Sequence, residues 1–265
     1  MNIAFFSYKG GVGRSLALLG VAASYASRYG TNIGIVDADI EAPSLHYLLD
    51  IVPEEDSNFV DILLKGTTTP AVIKERSIQL RSYLSEKKAS RLGDGELFLY
   101  PSLPDKPSEI KIPRIAVDET TQRTCEDFLD TFSNVRKLEH VFVDCRTGFS
   151  RLAGMILNLA DTVVLVCRID RQNLHGVRVM IDRSKKRKKN LLIVGSMVPE
   201  TPIGTQRLLD FQEKIDRCID ICLPLDERLI FGDVVTPLDY GRSDPISGFY
   251  EKVAEKIKME EFNES

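Results

Sequence analysis

Short apolar runs alternate along the chain with longer segments whose apolar residues recur at helical spacing. The runs are rich in Val, Ile, Leu and Phe and mostly lack alternation, which predicts strands covered on both faces. The predicted strands are Asn2–Phe6, Asn32–Val36, Glu96–Tyr100, His140–Cys145, Thr162–Cys167, Asn190–Val194 and Ile219–Leu223. The predicted helices are Ser15–Tyr29, Glu119–Phe132, Phe149–Leu159, Asn173–Lys188, Gly204–Cys218 and Gly248–Glu260. This alternation indicates right-handed βαβ units and therefore an α/β fold with a doubly wound, mostly parallel sheet.

One region departs from the alternation. Residues 52–113 are more polar and less regular, and four prolines between Pro101 and Pro113 predict an extended surface connection. Neither part has the composition of an inter-domain linker. We therefore expect residues 1–265 to form a single domain that carries an irregular, inserted region at 52–113.

Composition and charge exclude several classes of protein. A content of 43% hydrophobic and 28% charged residues excludes a largely disordered chain, and a net charge of −4 excludes a nucleic-acid coat protein. No apolar run approaches the ~20 residues of a membrane span. The first residues lack the basic segment and apolar core of a signal peptide, and five scattered cysteines suit a reducing compartment. We therefore expect a cytoplasmic protein.

A glycine-rich loop follows the first predicted strand. The segment reads SYKGGVGRS from Ser7 to Ser15 and leads directly into the first predicted helix. Its glycines permit backbone conformations that a Cβ would block, so successive N–H groups can converge on an anion at the positive end of the helix. Arg14 would add charge for the β- and γ-phosphates, and the Ser15 hydroxyl can bind Mg²⁺. The predicted nucleotide-binding residues of this segment are Gly10, Gly11, Val12, Gly13, Arg14, Ser15 and Leu16.

Carboxylates lie at the ends of two other predicted strands. Asp37 and Asp39 are two residues apart and can face the same side if their strand continues, and Asp144 follows four apolar or aromatic residues, as in a Walker B motif. Ligands of open α/β sheets bind at the carboxyl ends of the strands. We predict a magnesium site formed by Ser15, Asp37 and Asp144. A carboxylate that only caps the strand end is the alternative for one residue of the pair.

The loop residues KGGVGRS, from Lys9 to Ser15, resemble the deviant Walker A motif of the ParA/MinD family of P-loop ATPases. The resemblance implies that Lys9 reaches the phosphates of a partner subunit across a nucleotide-sandwich dimer. Arg14 stands where the family usually has a further lysine, and it replaces a compact ammonium with a planar fork. By the same resemblance, Asp39 would orient the attacking water and Asp37 would support Mg²⁺ through a water.

Further positions match the family more loosely. Gly148, in the stretch DCRTG, resembles the glycine whose N–H senses the γ-phosphate, although the family often has DxPPG there. Ser196 stands where family members often have an adenine-contacting Asn. Pro224 and Asp226 resemble the P-x-D stretch that closes over the base.

Two charged segments bear on possible partners. Arg183–Lys189 holds six cations in seven residues, which indicates either non-specific contact with DNA or a solvated helix end that the helix dipole favours. In the tail, Phe249, Val253 and Ile257 have helical spacing. Five glutamates after Tyr250 would be repelled by anionic lipid, so we expect this helix to pack on the domain rather than on a membrane.

Together these features predict an ATP-binding, Mg²⁺-dependent ATPase with slow hydrolysis. It would form a homodimer on binding ATP and control partner proteins or the position of cargo. One alternative is a nucleotide-binding regulatory module with little hydrolysis. The other is an ATP-dependent ligase of the dethiobiotin synthetase or cobyrinate amidase type, which shares the fold and loop but as a rule lacks a lysine at the place of Lys9.

Overall fold

The computed structural model of the chain describes residues 1–54, 58–65, 69–103, 115–231, 237–241 and 244–264. The strands are β1 (Asn2–Phe6), β2 (Asn32–Ala38), β3 (Ile78–Gln79), β4 (Glu96–Tyr100), β5 (His140–Cys145), β6 (Thr162–Cys167), β7 (Asn190–Val198) and β8 (Ile221–Pro224). The first helices are α1 (Arg14–Tyr29), α2 (Leu45–Leu48), α3 (Phe59–Lys65), α4 (Pro70–Arg76), a 3₁₀ turn (Leu80–Tyr83), α5 (Glu86–Leu92) and α6 (Glu119–Arg136). The remaining helices are α7 (Arg151–Leu159), α8 (Arg171–Arg187), α9 (Pro202–Ile215), α10 (Glu227–Phe231), α11 (Pro237–Tyr240) and α12 (Pro245–Glu264).

The strands form one sheet in the order β3-β4-β2-β5-β1-β6-β7-β8. Neighbouring strands are parallel except at one edge, where β3 pairs antiparallel with β4. The predicted α/β fold with a doubly wound, mostly parallel sheet is confirmed. The register places Asp37 of β2 beside Asp144 of β5, and Asp144 beside Phe5 of β1. The fold thus brings the acidic positions next to the strand that leads into the glycine loop.

Several strand and helix boundaries differ from the predicted ones. Strands β2 and β7 continue to Ala38 and Val198, beyond their predicted ends. Helix α7 begins at Arg151 rather than at Phe149, because the Ser150 side chain accepts a hydrogen bond from a backbone N–H of the first turn. The two-residue strand β3 was absent from the prediction because so short a segment carries no periodicity.

Both faces of the sheet are covered by helices, as the continuous apolarity of the strands predicts. One core lies beneath α1 and α12, and the other lies beneath α3, α6, α7, α8 and α9. Val253 and Ile257 of α12 are buried in the first core, and Tyr250 lies so close to α1 that only a glycine fits at Gly20. The predicted packing of the last helix on the domain is therefore confirmed. No helix among the described residues is long and apolar enough to cross a membrane.

The described part of region 52–113 contains α3, α4, β3, the 3₁₀ turn, α5 and β4. Strand β4 is hydrogen-bonded to β2 and β3 to β4, so the region contributes two strands at one edge of the sheet. The limits of an insertion stay a prediction. Most of the proline-rich connection Pro101–Pro113 lies outside the described residues.

Candidate functional site

The glycine loop connects the end of β1 to the start of α1. Gly11 and Gly13 have φ of 70° and 78°, a left-handed conformation that favours glycine. Helix α1 begins at Arg14, and among the described residues its first turn has neither a capping side chain nor an acidic residue. The N–H groups of this turn are therefore left for an outside acceptor, and the helix dipole favours an anion there.

Arg14 is buried beside the loop and contacts two carboxylates. Its Nε donates to Oδ1 of Asp144 at 2.5 Å, and its Nη2 donates to Oδ2 of Asp39 at 3.1 Å. The Ser15 hydroxyl donates to the other oxygen of Asp144 at 2.6 Å. The sequence predicts contact between Arg14 and phosphates, whereas in this structure its guanidinium bridges Asp39 and Asp144, which are predicted to have separate roles.

Burial and charge act in opposite directions on this group. Burial lowers the pKa of Arg14, but the charges of Asp144 and Asp39 and their hydrogen bonds outweigh it and raise this pKa above its ordinary value. Burial raises the pKa of Asp39, which the charge of Arg14 opposes. Nη1 of Arg14 and Oδ1 of Asp39 are buried and have no hydrogen-bond partner among the described residues. The ion-paired group therefore keeps unused donor and acceptor capacity.

Asp37 is held in place by backbone N–H groups. Its Oδ1 accepts from the N–H of Asp39 at 3.2 Å, and its Oδ2 accepts from those of Ser44 and Leu45, each at 3.1 Å. Burial raises the pKa of Asp37 well above its usual range, and the neighbouring charge of Asp144 raises it further, against those hydrogen bonds. Carboxyl groups are thus crowded where β2 and β5 meet, and this crowding disfavours the charged form of Asp37.

The donor set at this point fits Mg²⁺. Asp37, Asp39 and Asp144 place three buried carboxylates against the single guanidinium of Arg14, and the Ser15 hydroxyl adds a further oxygen. Oxygen ligands are those that Mg²⁺ prefers. Among the described residues, no group of three or more His, Cys, Asp or Glu side chains could hold a metal ion by itself. Mg²⁺ is usually held by one or two carboxylates together with substrate phosphates and waters.

A cleft of about 570 Å³ lies over the loop, within the usual size range of small-ligand sites. Its lining combines loop backbone and hydroxyl groups with apolar side chains. The lining residues include Gly11, Gly13, Ser15, Leu16, Ser44, Thr147, Arg168, Met197, Leu225 and Leu229. A polar part and an apolar part are what a nucleotide requires for its phosphates and its base.

Two predicted phosphate contacts are placed differently from each other. Lys9 is exposed, with its ammonium 5.8 Å from the centre of the Tyr8 ring, and it does not line the cleft. Gly148 adopts φ of 75°, and its N–H donates to the carbonyl of Ser7 at 2.9 Å. Gly148 therefore lies against the start of the loop, while Lys9 points to the surface.

The predicted base-binding residues are engaged within the chain. The Ser196 hydroxyl donates to the carbonyl of Val12 at 2.6 Å and is buried. Asp226 accepts hydrogen bonds from Arg228 on both of its oxygens. Pro224 and Asp226 line a smaller cavity together with Leu16 and Met197. The described side chains that line this cavity are mainly apolar, Ser196 holds the loop through its hydroxyl, and contact with a base stays a prediction.

Two residues of the site, Ser44 and Met197, are not predicted from the sequence. Ser44 fixes Asp37 through its N–H, and its hydroxyl lies 3.4 Å from that of Ser15. Met197 has φ of 53° at an irregularity in the pairing of β7 with β8, which turns it toward the cleft. Serine is a common residue at the N-cap position that Ser44 occupies before α2, although its side chain makes no capping hydrogen bond there. Nothing in the sequence marks the positive φ of Met197.

The basic run Arg183–Lys189 forms the end of α8 and the residues after it. Arg183 and Arg187 donate to the side-chain oxygen of Asn158, and Lys189 donates to the carbonyl of Ala160 at 2.6 Å. Lys185, Lys186 and Lys188 are exposed. Part of the run therefore ties α8 to α7, and DNA contact stays a prediction.

Comparisons with known proteins agree with the loop and the fold. A family model described as ParA, the NUBPL iron-transfer P-loop NTPase, matches residues 1–86. No curated protein sequence matches the chain.

Solved structures match over nearly the whole length. MinD from Pyrococcus horikoshii OT3, solved with Mg-ADP, has 16% identity over 97% of this chain and 95% of that chain, with a TM-score of 0.71. A ParA family ATPase from Chlorobium tepidum TLS has 16% identity over 96% of this chain and 98% of its own, with a TM-score of 0.72. A variant of Cyanothece McdA in complex with ATP has 13% identity over 97% and 96%, with a TM-score of 0.72. The chain therefore has the same fold as these three proteins. The resemblance to the ParA/MinD family that the loop indicates is confirmed.

Proposed function

We propose that this chain, which shares the fold of the MinD and ParA ATPases and resembles them in its phosphate loop, binds ATP with Mg²⁺ and hydrolyses it slowly. The observation that carries the proposal is the uncapped first turn of α1 behind a left-handed glycine loop, with three buried carboxylates beside it. The turn offers N–H donors and a favourable dipole to phosphates. The carboxylates supply the oxygen donors for a metal ion.

Each residue has a role that follows from its position. The N–H groups from Gly10 to Ser15 would hold the phosphates, and Leu16 and Met197 would contact the base in the apolar part of the cleft. Ser15 and Asp144 would hold Mg²⁺, with Asp37 acting through a water. The ion would neutralise phosphate charge. Asp39 would orient the attacking water, for which its buried, unpartnered Oδ1 is suited.

We further propose that ATP binding forms a homodimer that acts on partner proteins in the cytoplasm. Lys9 is exposed beside the loop and is not directed into its own cleft, as a residue that acts on a second copy requires. Two nucleotides that face each other across an interface repel, and a cation from each subunit offsets that repulsion. The similarity to the MinD and McdA folds supports such a switch.

Calorimetric titration of ATP into a Gly13→Val variant tests the proposal. Gly13 has φ of 78°, so a β-branched residue there must distort the loop, and we expect ATP binding to be lost while the circular dichroism spectrum is kept. Gly248→Val is the matched control, because a Cβ at Gly248 meets no atom within 4 Å. Undiminished ATP affinity in Gly13→Val would remove the phosphate-loop assignment.

A further inference from the structure

We propose that Arg14 is a latch: in the nucleotide-free chain its guanidinium holds Asp39 and Asp144, and Mg²⁺ enters only after bound phosphates have taken the guanidinium away. The inference rests on the proposed function, because it concerns the order in which nucleotide and metal occupy the same site. It makes Arg14 a positioning residue for both carboxylates.

The first support is the completeness of the ion-paired group. Arg14 is 6% exposed and Asp144 is fully buried, and the guanidinium reaches Asp144 through Nε and Asp39 through Nη2. Ser15 donates to the second oxygen of Asp144. Each oxygen of Asp144 thus already accepts a hydrogen bond from the chain itself, so a metal ion at Asp144 competes with the Arg14 guanidinium and the Ser15 hydroxyl.

The second support is electrostatic. A buried carboxylate without a counter-charge is strongly unfavourable, so the guanidinium is retained until another cation replaces it. Mg²⁺ loses its waters reluctantly and is usually bound with the help of substrate phosphates. Without phosphates, the ion would have to displace a well-placed guanidinium with few protein ligands in return. We therefore infer that Mg²⁺ alone does not open the latch.

The third support is the geometry of arginine. Its planar fork contacts Asp39 and Asp144 at once, which a single ammonium does less well. Nη1 is buried and has no hydrogen-bond partner among the described residues. A phosphate is a strong acceptor for a guanidinium and can bind two of its N–H groups. Arg14 also lines the cleft over the loop, so a phosphate bound there competes with both carboxylates for the guanidinium, and a shift of the side chain toward the phosphate frees them.

Electron paramagnetic resonance of Mn²⁺, used in place of Mg²⁺, tests the latch on the intact chain. We expect the nucleotide-free parent to leave Mn²⁺ free, and the parent with a slowly hydrolysed ATP analogue to hold it more tightly than the free analogue does. In nucleotide-free Arg14→Met, the carboxylates lose their counter-charge, so Mn²⁺ affinity should rise by about tenfold or more relative to the parent. Mn²⁺ should then raise the melting temperature of the variant but not that of the parent.

Arg28→Met is the matched control. Arg28 also pairs with two carboxylates, Glu251 and Glu255, but it is 43% exposed. Its loss should leave Mn²⁺ binding unchanged. Should Arg14→Met fail to fold, Arg14→Lys replaces it: one ammonium holds two carboxylates less well than the planar fork does, so nucleotide-free Arg14→Lys should bind Mn²⁺ more tightly than the parent does.

The latch is wrong if nucleotide-free parent binds Mn²⁺ as tightly as Arg14→Met does, or if the parent with bound analogue holds Mn²⁺ no more tightly than the free analogue does. Calorimetry of the analogue without metal separates this failure from a failure of the proposed function. Nucleotide binding with no change in Mn²⁺ affinity overturns the latch alone, whereas absence of nucleotide binding overturns both.

Discussion

At the scale of single residues, the site is dominated by unequal charges in a small buried volume. One arginine faces Asp39 and Asp144, and Asp37 lies beside Asp144 on the neighbouring strand. Asp39 differs from the other two carboxylates because one of its oxygens is buried and has no partner among the described residues. That free acceptor makes Asp39 the group best placed to hold a water.

Replacing Asp39 with Asn tests this role. We expect Asp39→Asn to bind ATP about as well as the parent and to hydrolyse it at least about tenfold more slowly, which corresponds to ~1.4 kcal/mol of barrier. Steady-state phosphate release and calorimetry measure the two quantities. Glu41→Gln is the control, since Glu41 is an exposed carboxylate two residues away. An unchanged rate in Asp39→Asn would reduce Asp39 to a structural residue.

The position of each acidic residue could be predicted from the sequence, but the partner of each could not. Asp37 and Asp144 fall at strand ends, and parallel strands bring their ends together. The orientation of Arg14 depends on which acceptors surround it after folding. The same limit applies to Ser196, whose hydroxyl is occupied by the carbonyl of Val12.

At the scale of elements, the start of the loop packs against α8 through the side chain of Tyr8. Tyr8 lies where a plain phosphate loop has its first glycine, and its ring contacts Phe149 and His175 with centroids 5.9 and 6.0 Å apart. Gly176 of α8 lets this ring lie against the helix, since a Cβ at Gly176 would overlap the base of the Tyr8 side chain. The contact therefore fixes the position on the surface from which Lys9, the next residue, extends.

Replacing Gly176 with Ala tests this contact. Alanine normally stabilises a helix interior relative to glycine by about 1 kcal/mol, yet here we expect Gly176→Ala to lower the melting temperature and to weaken ATP binding. Gly154→Ala in α7 is the control, because a Cβ at Gly154 has its nearest neighbour, Arg183, at 3.7 Å, an ordinary contact. It should melt at the same or a higher temperature. Equal behaviour of the two variants would contradict the packing of Tyr8 on α8.

The boundaries of these elements were only partly predictable. Long strands and helices followed from periodicity, and caps such as Ser150 moved a start by two residues. The apolar pattern does not predict the extension of β7 to Val198, because the pairing of β7 with β8 is irregular around Met197. Such an irregularity reflects the neighbouring strand rather than the local sequence.

For the molecule as a whole, the proposed homodimer rests on the cleft over the loop and on the exposed Lys9 beside it. Lys9 extends from the loop beside Tyr8, while Arg14, five residues later, is turned inward to its own carboxylates. The two cations of one loop are thus separated, one within the subunit and one at its surface. We expect Lys9 to act in trans and Arg14 to act in cis.

Light scattering with size-exclusion chromatography tests the nucleotide-driven homodimer most directly, using a slowly hydrolysed ATP analogue with Mg²⁺. We expect the parent to elute with twice the mass of one chain. The control Lys87→Ala, which replaces an exposed lysine of α5, should do the same. Lys9→Ala should bind the analogue with parental affinity and remain a monomer. If Lys9→Ala dimerises as well as the parent, the proposed role of Lys9 in trans is wrong. If the parent saturated with the analogue stays monomeric, the proposed homodimer is wrong and the chain is a monomeric nucleotide-binding protein.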